Sequence, residues 1–272
     1  MKQSLRLAHL YPEQMSIYGD RGNVIALRQR CAWRGIELDV VPIGVGESID
    51  WPSFDIAFFG GGQDSGQALI AEDLRVRHAG GLRAAVEDGL TMLAICGGYQ
   101  LLGHYFLTHQ GERLPGLGIM DVHTLGSAQR LIGNIVVEAD LDAGRWTADG
   151  GTADGGTAST VQRPLYNFRL VGFENHSGRT YHGAGVRSLG RVLVGHGDNG
   201  EDGWGGATYR NLIGCYLHGS LLPKNPQLTD RLIELAMRRH YGAHTVLAPL
   251  EAALELRAQQ AMTSKLLTGS SL

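Results

Sequence analysis

Cysteine is scarce in this 272-residue sequence, which contains only Cys31, Cys96 and Cys215. An odd count with no C-x-x-C pair excludes a disulfide framework and a structural zinc site, and leaves room for a working thiol. Long apolar runs are missing too. No stretch approaches the roughly 20 apolar residues that cross a bilayer. The opening "MKQSLRLAHLYPEQ" lacks the apolar centre of a secretory signal, so the expected location is the cytoplasm. Neither sign of charge dominates. The 24 Lys and Arg against 27 Asp and Glu are scattered, which gives no electrostatic footprint for nucleic acid and none for direct membrane insertion. There is no G-x-x-x-x-G-K-[ST] and no helix-opening G-x-G-x-x-G with a following acid. The glycine loop "GGGQDSG" therefore carries no expectation of ATP binding, and neither a metal nor a bound cofactor is expected.

What is present is a strand and helix alternation. "LRLAHLY", "IELDVVPIG", "DIAFFGGG" and "TMLAIC" read as strands, while "NVIALRQRCAWRG" and "DLRVRHAGGLRAAVEDG" read as helices. That order predicts an α/β, flavodoxin-like fold with a mostly parallel central sheet and helices on both faces. "LIGNIVVEAD", "RPLYNFRLVGFENHSGRTY" and "RVLVGHG" read as antiparallel additions at the sheet edge. Residues 147–156 repeat "TADGG" twice, a low-complexity insert expected to form a mobile surface loop over about 147–160. Residues 1–242 read as one domain, and 243–272 as a helical or frayed tail.

Ligands of parallel sheets bind beyond the carboxyl ends of the strands. In "LAICGGYQLLG" the apolar strand stops at Cys96 and a helical pattern starts at once, the geometry of a nucleophile elbow. The turn pushes the thiol into a cleft, and the N–H groups of the following helix lower its pKa toward the thiolate. Gly97 and Gly98 tolerate the strained turn and let a carbonyl approach the backbone donors of an oxyanion hole. Cys31 falls on the apolar stripe of its helix with Val24 and Leu27, which core packing explains, and Cys215 lies in a strand three residues before His218, an odd separation that turns the two side chains to opposite faces; neither is expected as the nucleophile. A thiolate also needs a proton partner. His218 ends the apolar strand "LIGCYL", so it too stands at a strand's carboxyl end, and His176 in "FENHSGRT" is its rival. Asp20, ahead of "NVIALRQRC", reads as the cap of that helix.

"FFGGGQD", "AICGGYQLLG" and "GCYLHG" together resemble, in order and spacing, the class I glutamine amidotransferases of the CobB/CobQ (cobyric acid synthase) branch, over about residues 5–225. The resemblance implies that Cys96 attacks a glutamine carboxamide, that N–H groups at Gly62 and Gly97 hold the oxyanion, and that His218 is the base. "HLYPEQMSIYGDRGN", "AQRLIGN" and "GFENHSGRT" narrow the likeness to the glutaminase subunits of lipid II isoglutaminyl synthases. Arg130, which by itself reads as an exposed arginine without a partner, would then hold the glutamine α-carboxylate. Gly61, Gln100, Asn175 and His176 join it as expected substrate contacts. One position departs from the wider class: where many members carry Glu two residues after the histidine, this chain has Ser220. Asp20, Glu174 or a carboxylate of a partner subunit remain as orienters of the imidazole.

Ammonia released into neutral water is protonated and is then no nucleophile, so the chemistry implies direct delivery to an acceptor. The resemblance supplies the partner, a MurT-like ATP-dependent ligase subunit forming a heterodimer. Lipid II would be the acceptor, its D-glutamate becoming D-isoglutamine, with membrane contact only through that lipid-linked substrate. Another cysteine hydrolase on the same sheet and a non-catalytic glutamine-binding scaffold stay open.

Overall fold

The computed structural model describes residues 2–17, 19–140, 167–218 and 221–269. The "TADGG" insert, Tyr18, Gly219, Ser220 and the last three residues lie outside them.

The first half alternates as its apolar pattern requires: β1 (Ser4–Leu10), α1 (Arg21–Ala32), β2 (Glu37–Ile43), β3 (Ile56–Phe59), α2 (Asp64–Asp73), α3 (Ala79–Glu87), β4 (Thr91–Ile95) and α4 (Gly97–Leu102). Every residue of β3 and β4 is buried, as expected of strands covered on both sides. Beyond them come β5 (Tyr105–Leu107), β6 (Arg113–Pro115), β7 (Val122–Asp140), β8 (Asn167–His182), β9 (Arg187–Ser188), β10 (Gly190–Val194), β11 (Ala207–Tyr209) and β12 (Leu212–Cys215). Three helices follow, α5 (Leu221–Lys224), α6 (Pro226–Tyr241) and α7 (Ala253–Thr268).

The central sheet runs β2-β1-β3-β4-β12-β11-β9. Its first five strands are parallel, and β11 and β9 add antiparallel at one edge. Strands β7, β8 and β10, expected at that edge, instead build a second sheet with β5 and β6, dominated by the long antiparallel β7–β8 pair. Alternation identifies a strand but not the sheet it joins. An isolated bridge ties the second sheet to the segment after β12: Phe173 of β8 and His218 exchange both backbone bonds, at 3.2 and 2.7 Å.

One further departure matters below. The helix expected from Asp73 onward starts nine residues earlier, at Asp64, and passes through a π-turn at Leu74–His78 before α3. The glycine loop is therefore short and opens directly into α2. The C-terminal stretch forms the regular helix α7, tied to the body where Gln259 Nε2 donates to Arg169 O at 3.0 Å and to Asn225 Oδ1 at 2.8 Å.

Helix α1 is bolted to α6. Arg30, buried on α1, donates through Nε and Nη2 to the two oxygens of Asp230, each at 2.7 Å, and Arg34 reaches the same carboxylate at 2.9 Å. A forked guanidinium pair of this kind fixes direction as well as distance.

Candidate active site

Strands β1, β3, β4 and β12 are neighbours, and the site is built from what leaves their carboxyl ends. After β1 comes the segment through Met15 to Asp20, after β3 the glycines Gly60, Gly61 and Gly62, after β4 Cys96, and after β12 His218. Four loops with distant sequence positions thereby meet at one sheet edge.

Cys96 has φ 50° and ψ −106°, a backbone conformation that L-residues rarely adopt and that costs about 1–3 kcal/mol. It is 6% exposed. The elbow expected from the sequence is thus present as strain at the residue carrying the thiol. Its N–H donates to Cys215 O at 2.8 Å, which ties β4 to β12 where both end. Gly98 is forced by crowding, because a Cβ there would stand 2.7 Å from Phe59 O and 2.9 Å from Gly60 O. Cys31 and Cys215 are buried in the core, where burial raises both thiol pKa values, Cys31 to about 12; they are poor nucleophiles.

His218 is fully buried and its Nδ1 faces Asp20 Oδ1 at 3.1 Å. Burial would push its imidazole toward the neutral form, but the negative charge at Cys96 and the hydrogen bonds His218 donates to Asp20 and Cys96 outweigh burial and raise its pKa to about 10. Asp20 does hold the position before α1, yet its side chain makes no capping bond. Its carboxylate turns inward instead, Oδ1 to His218 and Oδ2 to the Gly61 N–H at 2.8 Å. Glu174, the other orienter considered within the chain, is buried but accepts from the N–H groups of His196 and Gly197 at 2.6 and 2.9 Å.

Gly61 marks the centre of the cluster. A Cβ on it would lie 2.6 Å from His218 Cε1, 3.1 Å from Asp20 Oδ2 and 3.2 Å from Cys96 Cβ. Because its N–H already serves Asp20, Gly61 fixes the loop and has no backbone donor left for a substrate. The N–H groups of Gly62 and Gly97 meet no acceptor among the described residues. Over this loop lies Met15, fully buried, whose Sδ would be 2.3 Å from a Cβ on Gly62 and whose Cε 2.9 Å from one on Gly97.

The remaining expected contacts fall into two groups. Arg130 is exposed and does have a partner: it forks onto Asn175, with Nη2 donating to Oδ1 at 2.7 Å and to the backbone O at 3.0 Å. The two side chains expected to meet substrate therefore meet each other. His176 is buried, stacked on Tyr216 at 3.7 Å, with Nδ1 donating to Gly178 O at 2.8 Å. Gln100 is buried with both ends of its amide bonded, accepting from Gln67 at 2.9 Å and donating to Tyr216 at 3.0 Å. In this arrangement Gln100 braces the elbow. Gln67, also buried, went unnoticed in the sequence because its segment reads as loop; its spacing to Ile70 and Ala71, the other buried residues of α2, was the available signal.

The sequence matches the CobB/CobQ-like glutamine amidotransferase domain over residues 6–226. The chain belongs to that family. Among curated amidotransferase relatives, the chain is 43% identical to the lipid II isoglutaminyl synthase (glutamine-hydrolyzing) subunit GatD of Staphylococcus aureus, over 86% of this chain and 85% of that protein. It is 36% identical to the subunit of the same name from Streptococcus pneumoniae, over 88% and 82%. Solved structures share the amidotransferase fold at low identity. PurLQS from Thermotoga maritima aligns with a TM-score of 0.54 and 17% identity, over 88% of this chain and 99% of that one. A glutamine amidotransferase from the same organism aligns with a TM-score of 0.50 and 12% identity, over 97% and 95%. Among the described residues no helix of this amidotransferase is long and apolar enough to cross a membrane.

Proposed function

We propose that this chain is the glutaminase subunit of a lipid II isoglutaminyl synthase, with Cys96 as nucleophile, His218 as proton carrier and Asp20 as the residue that orients the imidazole. The observation that carries the reading is the line from a strained Cys96 through a buried His218 to Asp20, all three within about 3.2 Å of where a Cβ on Gly61 would stand.

The Cys96 thiolate attacks the side-chain carboxamide carbon of L-glutamine. The carbonyl π electrons move to oxygen, where the Gly62 and Gly97 N–H groups receive the charge. The His218 imidazolium gives its proton to the amide nitrogen, the C–N bond breaks, and ammonia leaves a thioester on Cys96. Neutral His218 then takes a proton from water as the water oxygen attacks the thioester, and the thiolate departs from glutamate. Asp20 holds Nδ1, so the other ring nitrogen is the one that faces the reaction. Arg130, set by Asn175, suits the substrate α-carboxylate through its forked donors.

The names of the two GatD relatives support the acceptor. The partner is a MurT-like ligase subunit that uses ATP to activate the D-glutamate α-carboxyl of lipid II, and ammonia passes to it without entering bulk water. The chain acts at the inner face of the cell membrane through that lipid-linked substrate. The test is transfer of label. With L-glutamine carrying 15N in its amide, the purified pair, ATP and lipid II, the label is expected in the new D-isoglutamine amide even when unlabelled ammonium is present. Label diluted to the composition of the medium contradicts direct delivery, and glutamine hydrolysis with no labelled lipid product contradicts the acceptor.

A further inference from the structure

The two backbone donors assigned to the oxyanion come from separate segments, Gly62 after β3 and Gly97 after β4, so something must set their spacing. Gln67 lies between them. A Cβ on Gly97 would be 3.0 Å from both Cδ and Nε2 of Gln67, and the same Nε2 reaches Gly62 O at 3.5 Å and Gln100 Oε1 at 2.9 Å. Glycine peptides rotate easily, and a donor on a glycine loop is useful only if the peptides on either side are held. Each is. The Gly61 carbonyl accepts from Ile17 N at 3.2 Å, and the Gly62 carbonyl faces Gln67.

From Gln67 a buried polar chain runs through Gln100, one turn beyond Cys96, to Tyr216, two residues before His218, and on to Thr180 and Thr124. It therefore touches the elbow helix and the segment leading to the histidine. At its near end the Gln67 carbonyl oxygen is buried with no partner. A buried acceptor left unpaired costs about 1–3 kcal/mol, and a methionine of similar volume would remove this one but strand Gln100 Oε1 in its place. The amide is therefore placed by what its donor reaches, the Gly62 carbonyl on one side and the elbow helix on the other.

We propose that Gln67 is a positioning residue for the oxyanion hole, holding the Gly62 and Gly97 donors at the spacing that the tetrahedral intermediate requires. The inference rests on the glutaminase reading above. Its test uses Gln67→Met, which keeps volume and loses the hydrogen bonds, and Gln67→Glu, which loses the donor and sets a negative oxygen against Gly62 O and Gln100 Oε1. Ammonia release is measured on the full chain mixed with the ligase-like subunit, alongside alkylation of Cys96 by iodoacetamide, which needs the thiolate but no oxyanion hole. Both variants are expected to lose about 10- to 100-fold in kcat with KM changed less than about threefold, a fraction of what deletion of a whole oxyanion donor costs. Alkylation is expected to stay within about twofold, and the far-ultraviolet circular dichroism of Gln67→Met to stay that of the folded chain. A Gln67→Met variant with unaltered kcat overturns the inference, as does a loss of alkylation that follows the loss of kcat. An unmodified chain that does not turn over glutamine overturns the glutaminase reading itself, a result distinct from either.

Discussion

Asp20 Oδ1 and His218 Nδ1 are 3.1 Å apart although 198 residues separate them in the chain. Both are fully buried, and the other oxygen of Asp20 holds the glycine loop through Gly61. One carboxylate thus orients the imidazole and anchors the loop that carries the proposed oxyanion donor of Gly62.

Asp20→Asn keeps the shape and the position before α1 but removes the charge that supports the imidazolium. The expected loss in kcat is about 10²–10⁴-fold, the range of a misplaced acid–base partner, with a lower Tm as well, because the amide takes the carboxylate from a buried imidazolium and sets an N–H against either His218 Nδ1 or the Gly61 N–H. Steady-state ammonia release and thermal unfolding of the one variant check both parts.

The charge state of His218 sets the alkaline limb of activity. In the proposed mechanism its imidazolium is the acid that protonates departing ammonia, and against burial Cys96 and Asp20 raise its pKa to about 10 from an ordinary 6.5. The ratio kcat/KM is therefore expected to fall as pH rises through about 10. His182 gives a separate stability signal. Burial opposes its protonation, but its 2.7 Å bond to Asp198 outweighs that and raises its pKa above 6.5. The folded state then holds a proton that the unfolded chain gives up, so this stabilisation is complete below pH 6.5 and disappears as pH rises through the folded-state value. The Tm difference between the unmodified chain and His182→Gln is expected to shrink over that rise.

Gly61→Ala places a methyl group among the three reacting and orienting side chains, 2.6 Å from His218 Cε1. The ring must move, and geometry displaced by this much costs about 10²-fold or more. Ammonia release is expected to fall by at least that factor, while far-ultraviolet circular dichroism stays that of the folded chain.

Asp230→Ala tests the scaffold alone. It leaves Arg30 and Arg34, both with nearly buried side chains, without the carboxylate that joins α1 to α6. Breaking a buried pair costs about 3–5 kcal/mol, and here Arg30 keeps a second carboxylate, Glu255, at 3.6 Å and Arg34 keeps two backbone carbonyls. The partly open Asp230, 27% exposed, places the expectation near the lower end, read as a loss of stability in urea unfolding.

The sequence makes the strand ends legible, and with them the places of Cys96 and His218, because a buried run broken by glycine has one structural meaning in a parallel sheet. Asp20 was legible only as a residue before a helix. Its inward turn depends on β1 and β12 ending on either side of β3 and β4, a convergence that no local pattern contains. Gln67 was hidden because "GGGQDSG" reads as loop, whereas α2 begins at Asp64 within it. The β7–β8 pair shows the same limit from the other side: alternation marks both strands, but the separate sheet they form follows from long-range pairing.

The central claim is that Cys96 hydrolyses glutamine. Its direct test is ammonia release from L-glutamine by the purified chain, alone and mixed with the ligase-like subunit, for the unmodified protein and for Cys96→Ala. Because Asp20 stands on His218 within this chain, the unmodified protein is expected to release ammonia in both settings and Cys96→Ala in neither. Glutamine left intact by the folded, associated unmodified protein, or ammonia still released by Cys96→Ala, would contradict it.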